Sequence, residues 1–194
     1  LENFAGTKAP ATVPSRTYLG DKFVSDLPDI FIIDDTDNEE VRKVIDQYNP
    51  EKWVVCETGG KLYNKGGNLY KLLMLWKVSC QSAIDSLMEA HPHISQVVWG
   101  LGWIFSDNAE ASCKPVQGGH ALLLNPVDKE GKLSFSLSSK FDRKKLMALA
   151  KHEIAHTVEE YHNESYAGIL TDIDVHFDEK EVFRKMKDML AEGN

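Results

Sequence analysis

Apolar residues along this chain follow two periods, and each period predicts a different kind of element. Steps of three and four connect Leu69, Trp76 and Met88, which is typical of a long helix over residues 69–90 packed on a core. Shorter stretches rich in Val, Ile, Phe and Trp predict strands. The strand candidates span residues 29–34, 52–57, 96–105 and 109–114. Two later helices are expected over residues 166–175 and 178–190, with the amphipathic second one docked on the domain.

The order of these elements suggests how the chain is divided. Residues 1–16 mix Gly, Pro, Thr and Ala without a period and are interpreted as a linker or lead-in. A strand, a helix near residues 38–48 and a second strand then predict a βαβ unit, which is either an N-terminal subdomain of residues 17–67 or an extension of the main sheet. Residues 68–194 are expected to form the principal domain.

A further helix is predicted to begin near Ser139, because Ser139 and Asp142 match a Ser-x-x-Asp capping box. Apolar residues continue from there at helical spacing and predict one stripe that packs against the core. The stripe comprises Met147, Ala150, Ile154, Val158 and Tyr161.

The same helix carries His152, Glu153 and His156 in the order His-Glu-x-x-His. Residues four apart project from one side of a helix, so the two imidazoles can bind one metal ion. Glu153 lies one position further round, where its carboxylate can reach a metal-held water without becoming a ligand. About 200° separates His152 from Ile154, so the histidines are expected to point away from the packed stripe.

A catalytic zinc site requires a third protein ligand. His162 is the first choice, followed by Glu164 and then Glu160. An unbroken helix places His162 about 120° from the direction of His156, so this choice requires the helix to end earlier. No Gly or Pro between Thr157 and Tyr161 enforces that end, although Asn163 is suited to cap one helix or begin the next.

The segment HEIAHTVEEYHNESYAGIL resembles the pattern of YgjP-like metallopeptidases and their WLM and SprT-like relatives. In that pattern a third histidine follows the second by six positions and an aromatic residue follows four later; the matching residues here are His162 and Tyr166. The segment HALLLNP, residues 120–126, resembles the strand that precedes the active-site helix in such minimal zincins. The resemblance covers residues 68–175 and is specific over residues 120–170.

This resemblance implies an α+β, zincin-like fold, in which a small and mostly antiparallel sheet packs on the active-site helix and the long preceding helix. It implies zinc ligands at His152, His156 and His162, and catalytic roles for Glu153 and Tyr166. The strand HALLLN is expected to be a sheet edge that pairs with an extended substrate. A donor for the oxyanion is also needed, and Tyr161, Tyr166 and His120 remain alternatives.

The function expected from these features is zinc-dependent hydrolysis of peptide bonds, with Glu153 as the general base and a protein or peptide as substrate. One alternative is a non-catalytic zinc-binding or interaction module of a larger protein. Another is a zinc hydrolase that cleaves an amide in a small molecule.

The composition of the chain limits the kinds of binding partner and cellular setting that we expect. A formal net charge of −8 disfavours direct binding to nucleic acid or to an anionic membrane. The three cysteines form no CxxC pair, and with no signal-peptide pattern they favour a reduced, cytoplasmic setting. The first residue, Leu1, suggests either a fragment of a longer chain or a processed product. An acidic run at the end of the first strand is interpreted as a helix-start turn, with a Mg²⁺ or Ca²⁺ site as the alternative. That run comprises Asp34, Asp35, Asp37, Glu39 and Glu40.

Overall fold

A computed structural model of the chain describes residues 30–47, 67–96, 98–116 and 119–192. Helices and strands share one domain core, so the predicted α+β class is confirmed. The strand expected at residues 52–57 and the lead-in of residues 1–16 lie outside the described part. The strands are β1 (Ile30–Asp35), β2 (Val98–Ser106), β3 (Ala111–Val116) and β4 (Gly119–Leu124). The α-helices are α1 (Glu39–Gln47), α2 (Asn68–Ala90), α3 (Lys140–Ala155), α4 (Glu164–His176) and α5 (Glu179–Glu192), and a short 3₁₀ helix spans Pro92–Gln96.

The four strands form one sheet in the order β1-β2-β4-β3. Among the described strands, β1 and β2 are parallel, β2 and β4 are parallel, and β3 and β4 are antiparallel. The expectation of a mostly antiparallel sheet was therefore wrong. The chain reverses after β2 and again after β3, so β4 regains the direction of β2 and inserts beside it. Alternating or apolar patterns within a strand do not encode this choice of neighbour.

The position of β4 corrects a second expectation. The strand HALLLN was predicted to be a sheet edge, but β4 lies between β2 and β3. Ala121 and Leu122 to Leu124 are completely buried, and a continuous apolar run of this kind is typical of a strand covered on both faces. Within the described part of the chain, the edge next to β4 is β3.

Helix α2 lies at the centre of the helical layer and contacts α3, α4 and α5. Leu72, Leu73 and Trp76 are completely buried on it, and the Trp76 indole Nε1 donates a hydrogen bond of 3.2 Å to the Leu122 carbonyl of β4. This bond fixes the helix against the sheet while satisfying a buried donor. Helix α5 docks through the buried side chains of Val182 and Met186, as the amphipathic pattern predicted.

The N-terminal strand belongs to this same sheet, because β1 pairs with β2 from Ile30 to Asp35. Of the two interpretations of the βαβ region, the pairing corresponds to an extension of the sheet. The proposed division at residues 17–67 and 68–194 remains a prediction.

Candidate metal centre

The helix that carries the histidines begins where the sequence predicted. The Ser139 hydroxyl accepts a hydrogen bond of 3.2 Å from the Asp142 backbone N–H, which caps α3. The Asp142 carboxylate does not return this bond to Ser139; it accepts from the Ser136 backbone N–H at 2.6 Å. The Asp142 side chain therefore holds the residues that precede the helix, and its negative charge interacts favourably with the helix dipole.

Only part of the predicted apolar stripe is buried. Met147, Ala150 and Ile154 lie in the core, but Val158 is 43% exposed and Tyr161 is 68% exposed. The prediction was wrong for these last two residues because α3 ends at Ala155, so the helical period no longer applies to them. The three buried residues press one side of the helix onto the core and leave the histidines on the other.

The end of α3 is made by a hydroxyl and a tight turn. Thr157 donates from Oγ1 to the Ile154 carbonyl at 2.6 Å. The backbone N–H groups of Val158 and Glu159 both donate to the Ala155 carbonyl, at 3.1 and 3.0 Å. These bonds satisfy terminal carbonyls of the helix without a glycine or proline. His156 is the C-cap residue, so it is both the last position of the motif and the turning point of the chain.

The next helix begins immediately after His162. Asn163 is its N-cap, with the side-chain oxygen accepting from the Tyr166 backbone N–H at 2.9 Å. The Asn163 backbone N–H donates to the Tyr161 carbonyl at 2.9 Å. Together these bonds fold residues 156–163 into a compact turn that returns His162 to the exposed side of α3.

The three imidazoles converge. The His152 Nε2 atom lies 3.2 Å from Nε2 of His156 and 3.2 Å from Nε2 of His162. Two ligands on a tetrahedral zinc ion, each at about 2.0–2.1 Å, are separated by about 3.4 Å. One potential ligand atom from each histidine lies within 4.8 Å of the others, close enough to hold a metal ion. Among the described residues this is the group with metal-binding geometry, and neither Glu160 nor Glu164 belongs to it.

Two of these imidazoles are held in the form that binds a metal, His156 by a hydrogen bond and His152 by a lowered pKa. The His156 Nδ1 atom lies 3.1 Å from the Glu159 backbone carbonyl, which can only accept, so Nδ1 carries the proton and Nε2 is left with its lone pair. Burial lowers the pKa of His152, and the adjacent His156 and His162 lower it further. A neutral imidazole is the form that binds a metal, so the donor set fits zinc.

Tyr166 lies beneath the cluster and is almost fully buried. Its ring centroid is 4.7 Å from that of His156 and 4.9 Å from that of His162. Its hydroxyl donates a hydrogen bond of 3.1 Å to the backbone carbonyl of His152. Burial, with a smaller effect of the Glu153 carboxylate, raises its pKa to about 12, which keeps the hydroxyl protonated. In this arrangement Tyr166 holds the end of α3 in place.

Glu153 lies on α3, beside the edge strand β3. The residue is 7% exposed, and burial raises the pKa of its carboxyl to about 7, opposed by a hydrogen bond from the Cys113 backbone and by the charge of Lys114. The carboxylate thus faces β3 one residue away from a metal-ligand candidate. Of the other proposed oxyanion donors, Tyr161 is exposed and His120 lies on the central strand β4, where burial lowers its pKa.

The acidic run at the end of β1 continues into the start of helix α1, as the helix-start interpretation predicted. Thr36 donates to Asp107 Oδ1 at 2.9 Å, and the Asn38 side chain caps α1 by accepting from the Glu40 and Val41 N–H groups at 3.0 and 3.2 Å. A cavity of about 240 Å³ lies here beside the carboxyl ends of β1, β2 and β4. No acidic side chain described there belongs to a metal-binding group, and the Asp34 side chain lies outside the described part.

Comparisons of this chain with protein-family models, with curated proteins and with solved structures found no match. Among the described residues, no helix combines the length and the apolar character needed to cross a membrane.

Proposed function

We propose that this protein is a zinc-dependent peptidase of the minimal zincin type, as its resemblance to YgjP-like, WLM and SprT-like proteins implies. The observation that supports this most directly is the convergence of three histidine Nε2 atoms at 3.2 Å spacings about His152, next to the carboxylate residue of the motif. A zinc ion supplies a Lewis acid that polarises a carbonyl and lowers the pKa of water to about 7.

The chain's own residues divide the remaining work. His152, His156 and His162 hold the ion, each through one ring nitrogen. The Glu153 carboxylate accepts a proton from the attacking water and delivers it to the leaving amine nitrogen as the peptide C–N bond breaks. Tyr166 acts as a positioning residue through its bond to the His152 carbonyl.

The edge strand β3 indicates the kind of substrate. It lies against α3 beside Glu153, so an extended peptide paired with β3 brings its backbone to the metal centre. A protein or peptide is therefore the proposed substrate. The net charge of −8 still disfavours direct nucleic-acid binding.

One observation favours the non-catalytic alternative. The Cys113 backbone lowers the pKa of Glu153 against the effect of burial, so it interacts favourably with the carboxylate, and this interaction gives Glu153 a structural reason to occupy this position without catalysis. A carboxylate at this position is therefore compatible with a structural zinc site as well as with a catalytic one. The two functions must be separated by a substitution that keeps the bond and removes the base.

Glu153→Gln makes this separation, because glutamine retains an oxygen that accepts from Cys113 but takes up no proton. Zinc per chain is measured by elemental analysis, and casein cleavage is followed in parallel. A peptidase is expected to keep one zinc and to lose cleavage by about 10²- to 10⁴-fold in Glu153→Gln. Glu160→Gln, in the same turn region but outside the cluster, is the matched control and should retain both.

The opposing outcomes are distinct. A parent protein that holds zinc but cleaves no more casein than Glu153→Gln is a zinc-binding module. A parent protein that takes up no zinc after reconstitution is not a zinc enzyme. Cleavage of small amides without cleavage of peptides indicates the small-molecule hydrolase.

A further inference from the structure

The outer edge of β3 has an uneven supply of hydrogen-bonding groups. The Asn125 N–H donates to the Glu110 carbonyl at 2.8 Å, just before the β3–β4 register of Ala111 with Leu124 begins. In an antiparallel pair, residues with backbone groups directed at the partner alternate with residues whose groups point away. Since the backbone groups of Glu110 are directed towards β4, those of Ser112 and Lys114 are directed towards β4 as well.

It follows that Ala111, Cys113 and Pro115 direct their backbone groups away from β4, towards the outer edge. Two independent features agree with this assignment. The Cys113 backbone opposes the rise in the pKa of Glu153 in the manner of a hydrogen-bond donor, so its N–H is directed at α3 and not at β4. Pro115 has no N–H, and a proline in a strand is tolerated where that group faces outwards.

The outward groups can now be counted along the strand. Ala111 offers both an N–H and a carbonyl. Cys113 offers a carbonyl, while its N–H is directed at the Glu153 carboxylate. Pro115 offers a carbonyl alone. Among these three residues, the outward N–H that remains for a partner strand is therefore that of Ala111.

We propose that Pro115 is a specificity-determining residue that limits pairing of the substrate to one side of the cleaved bond. An antiparallel partner is favoured because two residues that oppose each other can exchange two hydrogen bonds. On the carboxyl side of the residue that faces Cys113, such a substrate lies beside Ala111 and can bind both its N–H and its carbonyl. On the amino side it lies beside Pro115, whose missing N–H leaves a substrate carbonyl without a donor. Recognition therefore favours the carboxyl side of the substrate.

This inference rests on the proposed peptidase function, and a length series tests it. Starting from a short casein-derived peptide that the parent protein cleaves, one set is extended by two residues on the carboxyl side and another by two residues on the amino side. We expect the carboxyl-side extension to raise kcat/KM by about 2- to 12-fold per added hydrogen bond, and the amino-side extension to change it less than about 2-fold. Equal gains from both extensions, or a larger gain on the amino side, would overturn the proposal.

Pro115→Ala supplies the missing donor and is expected to make the amino-side extension beneficial. Lys114→Ala is the matched control, since its backbone groups face β4, and it should keep the asymmetry. If Pro115→Ala does not fold, single thioamide substitution in the peptide replaces it in the parent protein, because sulfur is a weaker acceptor than the carbonyl oxygen. Substitution of the substrate carbonyl that faces the Ala111 N–H should lower kcat/KM more than substitution of the carbonyl two residues before the partner of Cys113, which finds no N–H at Pro115; equal losses or the reverse order contradict the proposal.

Failure of the peptidase function can be told apart from failure of this inference. Binding of fluorescent versions of the same casein peptides to Glu153→Gln is measured by anisotropy. Cleavage by the parent without a side preference overturns the role of Pro115 and leaves the peptidase. Side-dependent binding without cleavage by the parent overturns the peptidase and leaves the edge as a peptide-binding surface. If no casein peptide is either cleaved or bound, both proposals are wrong.

Discussion

The turn region of residues 152–166 and the strand ends around Asp107 both concentrate side chains of the kind that bind metal ions. In the first region three histidine nitrogens face one another at 3.2 Å about His152. In the second, within the described residues, the carboxylates do not gather into a metal-binding group. The two regions differ in the hydrogen-bond and ion-pair partners that lie close to each side chain.

Carboxylates at the strand ends are used by neighbouring donors. Asp128 accepts from the backbone N–H groups of Glu130 and Lys132, both at 2.9 Å, and Glu110 pairs with Lys145 at 2.6 Å. An imidazole has two nitrogens, so one can be anchored by the protein while the other remains free for a metal, as His156 shows. If metal binding is confined to the turn region of residues 152–166, substitutions there should change zinc affinity and substitutions at the strand ends should not.

The largest effect is expected for His156→Ala. This change removes both a ligand and the contact with the Glu159 carbonyl. Loss of an outer partner alone reduces metal affinity by about 10- to 100-fold, so loss of the ligand should reduce zinc affinity by more than about 100-fold. A competition titration with a chromophoric chelator measures this. Unchanged affinity would place the metal elsewhere in the protein.

A smaller effect is expected for Tyr166→Phe. The hydroxyl bond to the His152 carbonyl is lost while the ring still packs beneath the histidines. Loss of an outer partner of a ligand reduces metal affinity by about 10- to 100-fold. Here zinc affinity should fall by about 10-fold, because the bond acts on His152 through its backbone. The same chelator titration reports it. If cleavage were abolished while zinc affinity stayed at the parent value, Tyr166 would instead contact the reacting atoms.

Asn163→Ala should act on His162, the proposed third ligand, through the start of α4. Removal of the cap is expected to reduce the free energy of unfolding by about 0.5–2 kcal/mol, and to weaken zinc binding because His162 directly precedes the cap. Urea unfolding with and without zinc measures both effects. Asn163→Asp retains a capping oxygen and should restore most of the loss; equal losses in both variants would argue against capping.

The smallest effect is expected at the strand ends. Asp107→Asn keeps an oxygen that accepts from Thr36, so stability should change by less than about 1 kcal/mol. Zinc content should not change. A loss of zinc or of a second bound divalent ion, measured by elemental analysis, would show that the acidic strand ends also bind metal and would remove the contrast between the two regions.

The sequence identified the parts of the site that depend on local spacing. His152 and His156 could be placed together because helix geometry fixes residues four apart, and Ser139 could be placed at the helix start because its side chain bonds to a nearby N–H. The end of α3 was harder to predict. It depends on the Thr157 hydroxyl and the turn after it, and no glycine or proline marks it.

Other features depended on partners distant in the chain. The contact of Glu153 with Cys113 arises from how β3 lies along α3, which no local pattern encodes. The direction and order of the strands were missed for the same reason. One available signal was overlooked: the uninterrupted apolar run from Ala121 to Leu124 favours a central strand over an edge.

The return of His162 to the end of α3 has a consequence for folding. All three imidazoles come from positions 152 to 162, so an unfolded chain can also gather them around an ion by closing a short loop. A ligand that binds both the folded and unfolded states stabilises a protein less than its affinity suggests. Zinc should therefore raise the melting temperature of this protein only modestly for its affinity.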